Sequence, residues 1–319
     1  MTRRVRKAFV LGAGLGTRLR PVTNVLPKPL LPVFGKPLVT FALDHLLQAG
    51  IERIWINTHH LHQKFAALFS DGCDHAIELV FEPALLETGG GIKNLESRMG
   101  GEPFIVYSGD ILTDVAIERL LEAHFTQQNE VTLALRSTGL SSVVRWCSET
   151  GQILGLFGDP KSKTGANHDF AGISVWNPSV FPRIPENTKI SFVPIIVDWL
   201  EAGGKIGGVL MEENHWFNVG TRAEYLRLHQ FIANEGWLPG YIRDPEWPVR
   251  IERSAKVFAT SRIEGASYVG DSCRVDSEAF IKDSILLPGS SVGSGVSLRS
   301  CIVGGAGVLT GTYVGADFV

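Results

Sequence analysis

Between residues 257 and 281 an aliphatic side chain returns at every sixth position, as Val257, Ile263, Val269, Val275 and Ile281. The beat continues after a one-residue slip with Leu286, Val292 and Leu298, and after another slip with Ile302, Val308 and Val314. Small and turn-forming residues fill the spaces. A helix would repeat near 3.6 and a half-buried strand at 2. A period of six fits a parallel β-helix, in which each coil has three short faces and each face points one aliphatic inward. The stretch predicts about four coils, whose ends need covering, so contacts between copies of the chain are expected there. Just before it, residues 236–250 hold Gly236, Pro239, Gly240, Pro245 and Pro248, a composition suited to a linker.

The preceding 235 residues alternate strand-like and helix-like segments. Strands are expected to end at Gly12, at Asn57 and at Ser108-Gly109-Asp110, and to cover 77–81 and 131–135; helices are expected over 38–49, 61–69, 91–99 and 115–125. That rhythm predicts a Rossmann-like, mostly parallel sheet with helices on both faces, and ligands bound beyond the carboxyl ends of the strands. After Trp146, strands at 153–157 and 172–176 read as an antiparallel insertion, and His215–Thr221 as a return to the sheet. The expected organisation is therefore an α/β domain over 1–235, a linker over 236–250 and a short left-handed parallel β-helix over 251–319.

With 44% hydrophobic and 20% charged residues the chain has ordinary globular composition, and its net charge of -3 gives no reason to expect nucleic acid as a partner. Arg3, Arg4, Arg6 and Lys7 read as a solvated terminus. Cys73, Cys147, Cys273 and Cys301 are far apart and form no CxxC pair, the pattern of reduced thiols in a cytoplasmic protein. No apolar run reaches the roughly 18 residues of a bilayer span, so no membrane partner is expected.

The chemistry is concentrated in Gly12-Ala13-Gly14-Leu15-Gly16-Thr17-Arg18-Leu19-Arg20-Pro21, followed by Pro27-Lys28-Pro29. A glycine turn at a strand end can wrap its amides around an anion, because no Cβ blocks the approach. Arg18, Arg20 and Lys28 supply matching positive charge. Two common phosphate motifs fail on spacing. No Gly-Lys-Ser/Thr follows as a P-loop requires, and the third glycine of G-x-G-x-x-G would fall on Thr17 or Leu19.

This turn, the Pro27–Val33 segment, Leu86-Glu87-Thr88-Gly89-Gly90-Gly91-Ile92, Asp169-Phe170-Ala171-Gly172 and Trp216-Phe217-Asn218-Val219-Gly220-Thr221 together resemble the sugar-1-phosphate nucleotidylyltransferases, in the same order. The Leu86–Ile92 form is similar to N-acetylmuramate-1-phosphate uridylyltransferases, while the hexads are similar to those of mannose-1-phosphate guanylyltransferases. The resemblance implies transfer of a nucleoside monophosphate from an NTP to a sugar 1-phosphate, with release of pyrophosphate. It implies that Gly12, Ala13, Gly14, Leu15, Gly16 and Thr17 bind the nucleotide, with Arg18 over the leaving phosphates and Lys28 near the α-phosphate. Asp110 and Asn218 would hold Mg²⁺; many relatives carry aspartate where Asn218 stands, so the site has one negative charge fewer. Gly89 and Gly90 would lie against the base. Glu87 would accept from uracil or guanine, or else cap the following helix. Gly172 would let the sugar approach backbone, with Asp169 and Lys161 as further sugar-side candidates.

Four other readings compete with this one. Gly289-Ser290-Ser291-Val292-Gly293 matches a hydrolase elbow, but it lies inside the hexads and no histidine follows His229. The same lack of histidine argues against acyl transfer by the β-helix, leaving it an assembly or allosteric module and the chain a homo-oligomer through it. His59, His60 and His62 lack the supporting spacing of a metal site. A non-catalytic nucleotide-sugar sensor is the fourth; Asn218 favours it, and the intact Gly14–Arg18, Lys28 and Asp110 oppose it.

Overall fold

The computed structural model describes residues 4–69, 76–139, 144–156, 166–305 and 307–319. In chain order the elements before the coils are β1 (Lys7–Leu11), α1 (Leu38–Gln48), β2 (Arg53–Thr58), α2 (His62–Leu68), β3 (Ile77–Phe81), α3 (Glu87–Lys93), α4 (Glu96–Met99), β4 (Phe104–Ser108), β5 (Ile111–Thr113), α5 (Ile117–Thr126), β6 (Val131–Arg136), β7 (Val144–Trp146), β8 (Ile153–Leu156), β9 (Ala166–Trp176), α6 (Phe192–Glu201), β10 (Ile206–Leu210), β11 (Trp216–Asn218) and α7 (Arg222–Glu235). The chain divides into two compact units: residues 1–14, 45–109 and 113–216 form the first, and 15–44, 110–112 and 217–319 the second.

The first unit is built on a nine-stranded, mostly parallel Rossmann-like sheet. Its parallel centre has the order β4-β1-β2-β3, with Phe9 opposite Trp55 and Val106. Because these strands are covered on both faces they read as continuous apolar runs, and Ala8, Phe9, Val10, Ile54 and Ile56 are all inaccessible to solvent. The insertion joins the same sheet: β9 runs antiparallel to β4, β6 and β7, and β10 returns parallel to β6. Helix α6 closes one face. Ser191 caps it by accepting from the Val193 amide at 3.2 Å, and Phe192, Ile195, Ile196 and Trp199 form its buried stripe. Truncating Ile196 to alanine there would cost about 2–5 kcal/mol. Among the described residues the segment 215–221 does not re-enter this sheet; β11 pairs with β5 in a two-stranded ribbon.

The second unit contains the coils. Twelve short strands from Lys256 to Phe318 make three four-stranded parallel sheets, the arrangement of a left-handed parallel β-helix. Val257 stands beside Val275, Val275 beside Val292 and Val292 beside Leu309, so one coil holds 18 residues and the next two hold 17. The interior is Val269, Val275, Ile281, Leu286, Val292, Leu298 and Val303, continued by Leu309, Tyr313 and Phe318. The aliphatic phase therefore departs from the spacing expected at its end. Val308 and Val314 are 63% and 70% exposed, because the second slip is again a single residue and puts Val303, not Ile302, inside. Ile302 is buried from the outside of the coils, with Tyr268 and Ile285, in one core with Tyr225, Leu228 and Ile232 of α7 and with Leu19, Leu31 and Phe34. No helix among the described residues is long and apolar enough to cross a membrane.

Candidate functional site

In the second unit the 15–18 part of the glycine turn, Lys28, Asp110 and residues 218–220 come together. Gly16 is left-handed at φ +62°, and a Cβ there would lie 2.8 Å from Thr23 Cγ2 and 3.4 Å from Lys28 Cβ, so the stem of Lys28 is rooted against the turn. Thr23 Oγ1 donates to the Gly16 carbonyl at 2.9 Å and holds this bend. Lys28, only 8% exposed, donates its ammonium proton to Asp110 Oδ2. Prolines on both sides stiffen the loop that carries it, which limits the side-chain and backbone entropy lost when the pair forms.

Asp110 follows β4, and its carbonyl accepts from the Val219 amide at 3.0 Å. That bond sets Asp110 beside the Asn218 end of β11. A Cβ on Gly220 would lie 3.0 Å from Asn218 Nδ2 and 3.1 Å from Arg18 Nη2, so the Arg18 guanidinium and the Asn218 amide converge over this glycine. Arg18 is exposed. Among the described residues no three His, Cys, Asp or Glu side chains gather as a metal cage. The oxygen donors here include the Asp110 carboxylate and the Asn218 amide, and Glu224 Oε2, which accepts from Thr221 Oγ1, also lies 3.0 Å from the Gly220 Cβ position. That set fits a hard divalent ion that keeps water and phosphate in the rest of its shell.

Within the turn the amides have different fates. Gly12 and Ala13 are buried, and their N–H groups donate to Asn57 Oδ1 at 2.7 and 3.3 Å. Gly14, Leu15 and Thr17 are exposed, and among the described residues no acceptor takes the N–H groups of 14–17. The open part of the cradle thus begins at Gly14.

In the first unit Asn57 Nδ2 donates to Glu82 Oε1 at 2.8 Å, and Glu82 Oε2 accepts from the Leu86 amide at 3.1 Å. Glu82 is inaccessible to solvent. Burial pushes its carboxyl above the usual range, while the hydrogen bonds from Asn57 and Leu86 and the nearby His59 pull it back. Helix α3 starts immediately after, at Glu87, which has φ +60°. No side chain caps this helix; the exposed Glu87 carboxylate lies 3.6 Å from Lys189. The Gly89 and Gly90 amides both donate to the Ile190 carbonyl, at 2.8 and 3.0 Å. A Cβ on Gly90 would meet Thr188 O at 2.4 Å, and one on Gly91 would meet Asn57 Nδ2 and Glu82 Oε1 at 3.2 Å. These glycines let α3 lie against backbone and against the Asn57–Glu82 bond.

Of the sugar-side candidates, Gly172 has φ +85° and lies at a β-bulge in β9, where the register shifts between Phe170 and Ser174. Asp169 is buried and accepts from Thr138 Oγ1. Lys161 lies outside the described residues. Asn57 and Glu82 were not marked by any sequence motif. Their common signal is position: Asn57 lies near the carboxyl end of β2, which pairs with the strand that enters the glycine turn, and Glu82 follows β3, the next strand out.

Comparison with known proteins agrees with this chemistry. Residues 7–235 match the family described as nucleotidyl transferase, and residues 254–319 match that described as GlmU-like, C-terminal hexapeptide. The chain is 33% identical over 226 residues to a mannose-1-phosphate guanylyltransferase of Mycobacterium tuberculosis, a match covering 69% of this chain and 62% of that protein. It is 29% identical over 231 residues to an N-acetylmuramate alpha-1-phosphate uridylyltransferase of Neisseria meningitidis, covering 67% of this chain and 93% of that protein. The crystal structure of HddC from Yersinia pseudotuberculosis has a TM-score of 0.58 at 20% identity, covering 70% of this chain and 98% of that one, a likeness of fold.

Proposed function

This chain belongs to the nucleotidyl transferase family, and from that premise we propose that it transfers a nucleoside monophosphate from an NTP to a sugar 1-phosphate. A phosphate oxygen of the sugar 1-phosphate attacks the α-phosphorus, the bond from that phosphorus to the β-bridging oxygen breaks, and pyrophosphate leaves. The observation that carries the reading is the buried Lys28, rooted on Gly16 and paired with Asp110.

Two anions must meet at a crowded phosphorus, so catalysis is mostly charge neutralisation and in-line positioning. The free amides of Gly14, Leu15, Gly16 and Thr17 take the triphosphate, and Gly12 and Ala13 anchor the turn. Arg18 offsets charge on the departing pyrophosphate. Lys28 offsets charge where the sugar phosphate meets the α-phosphorus. Asp110 and Asn218 would hold Mg²⁺, which when bound supplies Lewis-acid screening of the phosphates. Glu87 accepts from the edge of the base, Gly89 and Gly90 shape the helix that presents it, and Gly172 and Asp169 serve the sugar side, with Lys161 as a further candidate.

The Leu86–Ile92 segment supports UTP with an N-acetylated amino sugar 1-phosphate. The mycobacterial relative, named for mannose 1-phosphate and guanylyl transfer, supports GTP with mannose 1-phosphate instead. A panel of UTP, GTP, dTTP, ATP and CTP crossed with muramic, glucosamine, mannose and glucose 1-phosphates, in Mg²⁺, separates the two. One pair should release pyrophosphate at least about tenfold faster than the rest; no release from any pair would overturn the reading. We keep as proposals the division into a catalytic region over 1–235 and a coil region over 251–319, a homo-oligomer through the coils, and a cytoplasmic setting for the thiols.

A further inference from the structure

We propose that Asn57 and Glu82 are positioning residues for nucleotide binding, which fix which amides of the glycine turn are consumed and which are left for phosphate. The inference rests on the reading that Gly14–Thr17 receives the triphosphate.

The direction of every bond in this chain is determined. Asn57 Oδ1 accepts from Gly12 and Ala13, so the Asn57 amide has one orientation and its Nδ2 faces Glu82. Glu82 then meets a donor at each oxygen, Asn57 Nδ2 at one and the Leu86 N–H at the other. A carboxylate satisfies both; a protonated acid or an amide would turn a donor toward a donor. Glu82 is wholly buried, where an ion is costly unless each lone pair it presents is used. The carboxylate is kept by the two donors it serves.

The chain of bonds links two segments with separate roles. At one end it takes the Gly12 and Ala13 amides, while among the described residues no acceptor takes the N–H groups of 14–17. At the other end it takes Leu86, whose carbonyl accepts from the Ile190 amide just before α3 begins at Glu87. Gly91 places α3 directly over the Asn57–Glu82 bond, where a Cβ would lie 3.2 Å from both Asn57 Nδ2 and Glu82 Oε1, a tight approach. An error in the polarity of one bond reaches both ends, because Asn57 and Glu82 each carry bonds in two directions and reversing one sets donor against donor or acceptor against acceptor at the next.

That polarity can be reversed without changing shape or net charge. Glu82→Gln aims an NH₂ at Asn57 or at Leu86, and Asn57→Asp sets a carboxylate against Glu82. In the double variant N57D/E82Q the acid at 57 accepts from Gly12, Ala13 and the new glutamine NH₂, while the glutamine oxygen accepts from Leu86. The experiment titrates UTP and GTP into the full chain by calorimetry, with melting temperatures recorded in parallel. Each single variant should weaken binding of the nucleotide bound by wild type at least about tenfold, and the double variant should return to within about threefold. In turnover the loss should fall on the NTP KM, with kcat at saturating NTP and the sugar 1-phosphate KM changed less than about threefold. A purely structural role would move the melting temperature and leave affinity alone. Wild type that binds and singles that bind equally well overturn this proposal by itself. Wild type that binds neither nucleotide overturns the phosphate reading and this proposal together. If a single variant does not fold, the double variant decides: folded with near-normal affinity supports the proposal, and unfolded or folded without affinity overturns it.

Discussion

Lys28 and Asp110 form an ion pair of unequal partners, the lysine side chain 10% exposed and the aspartate 33%. Removing Asp110 leaves a mostly buried ammonium without the carboxylate it pairs with, and on the proposed mechanism removing Lys28 takes away a positive charge beside the reacting phosphates. Lys28→Ala is expected to lower kcat about 10²–10³-fold, the magnitude of losing one preorganised electrostatic contact, with the NTP KM nearly unchanged. Lys28→Arg should recover little of it, because a planar fork does not replace a point charge held between prolines. Steady-state kinetics on the two variants checks this; full activity in Lys28→Arg would mean that charge alone is sufficient. Both residues were legible in the sequence because each stands in a short segment with its own mark, proline on either side of Lys28 and a strand-ending Ser-Gly-Asp for Asp110. Asn57 and Glu82 had no such mark. They meet through strand neighbours that are 25 residues apart in the chain, and a local motif cannot report a side-chain bond across a sheet. The glycines of 89–91 were legible as a motif, while their packing against residues 188–190 and against the Asn57–Glu82 bond was not.

Among the elements, α3 and the coils carry the sharpest expectations. A Cβ on Gly90 would lie 2.4 Å from a backbone oxygen that cannot move aside like a flexible side chain. Gly90→Ala should therefore destabilise the first unit by about 1–3 kcal/mol, the usual cost of overpacking, seen as a lower denaturation midpoint; an unchanged midpoint would contradict the packing assigned to α3. In the coils, Val303→Asp should unfold the last turns, because it buries a charge in the interior, while Val308→Asp at a 63% exposed position should change the melting temperature by no more than about a degree. Reversed effects would restore the spacing read from sequence. The period of six was plain because every inward position in the first coils is aliphatic. The error at the end arose because Ile302 and Val303 are both aliphatic and both buried, on opposite sides of one strand. A hydrophobic pattern cannot distinguish an inner core from an outer one.

For the molecule as a whole, alternating strands and helices made the α/β class readable, whereas the compact units did not follow from chain order. Tyr225 and His229 of α7 bond to the Pro32 carbonyl at 2.6 and 3.2 Å, and Arg222 reaches Asp317 in the last coil at 2.6 Å. Deleting residues 251–319 should then expose the apolar face of α7 and lower the melting temperature, an effect larger than loss of an oligomer alone; an equally stable truncated chain would argue that the coils only assemble. Acid should weaken both units. Burial lowers the His45 imidazole to about 4 and His229 to about 3, against 6.5 for the unfolded chain. Below pH 6.5 the unfolded state binds protons that the folded state refuses, so stability is complete above 6.5 and falls toward pH 4 by about 1.4 kcal/mol per pH unit for each histidine. Denaturant midpoints from pH 7 to 5 should show this slope, and His229→Gln should remove one histidine's share; an unchanged slope would contradict its burial as the cause. The most direct test of the central claim is pyrophosphate release measured with NTP alone, sugar 1-phosphate alone and both together, in wild type and in Asp110→Ala. Release that needs both substrates and Mg²⁺, and that falls at least about a hundredfold in the variant, is the expected result. Release from NTP without a sugar phosphate, or undiminished release in Asp110→Ala, would contradict it.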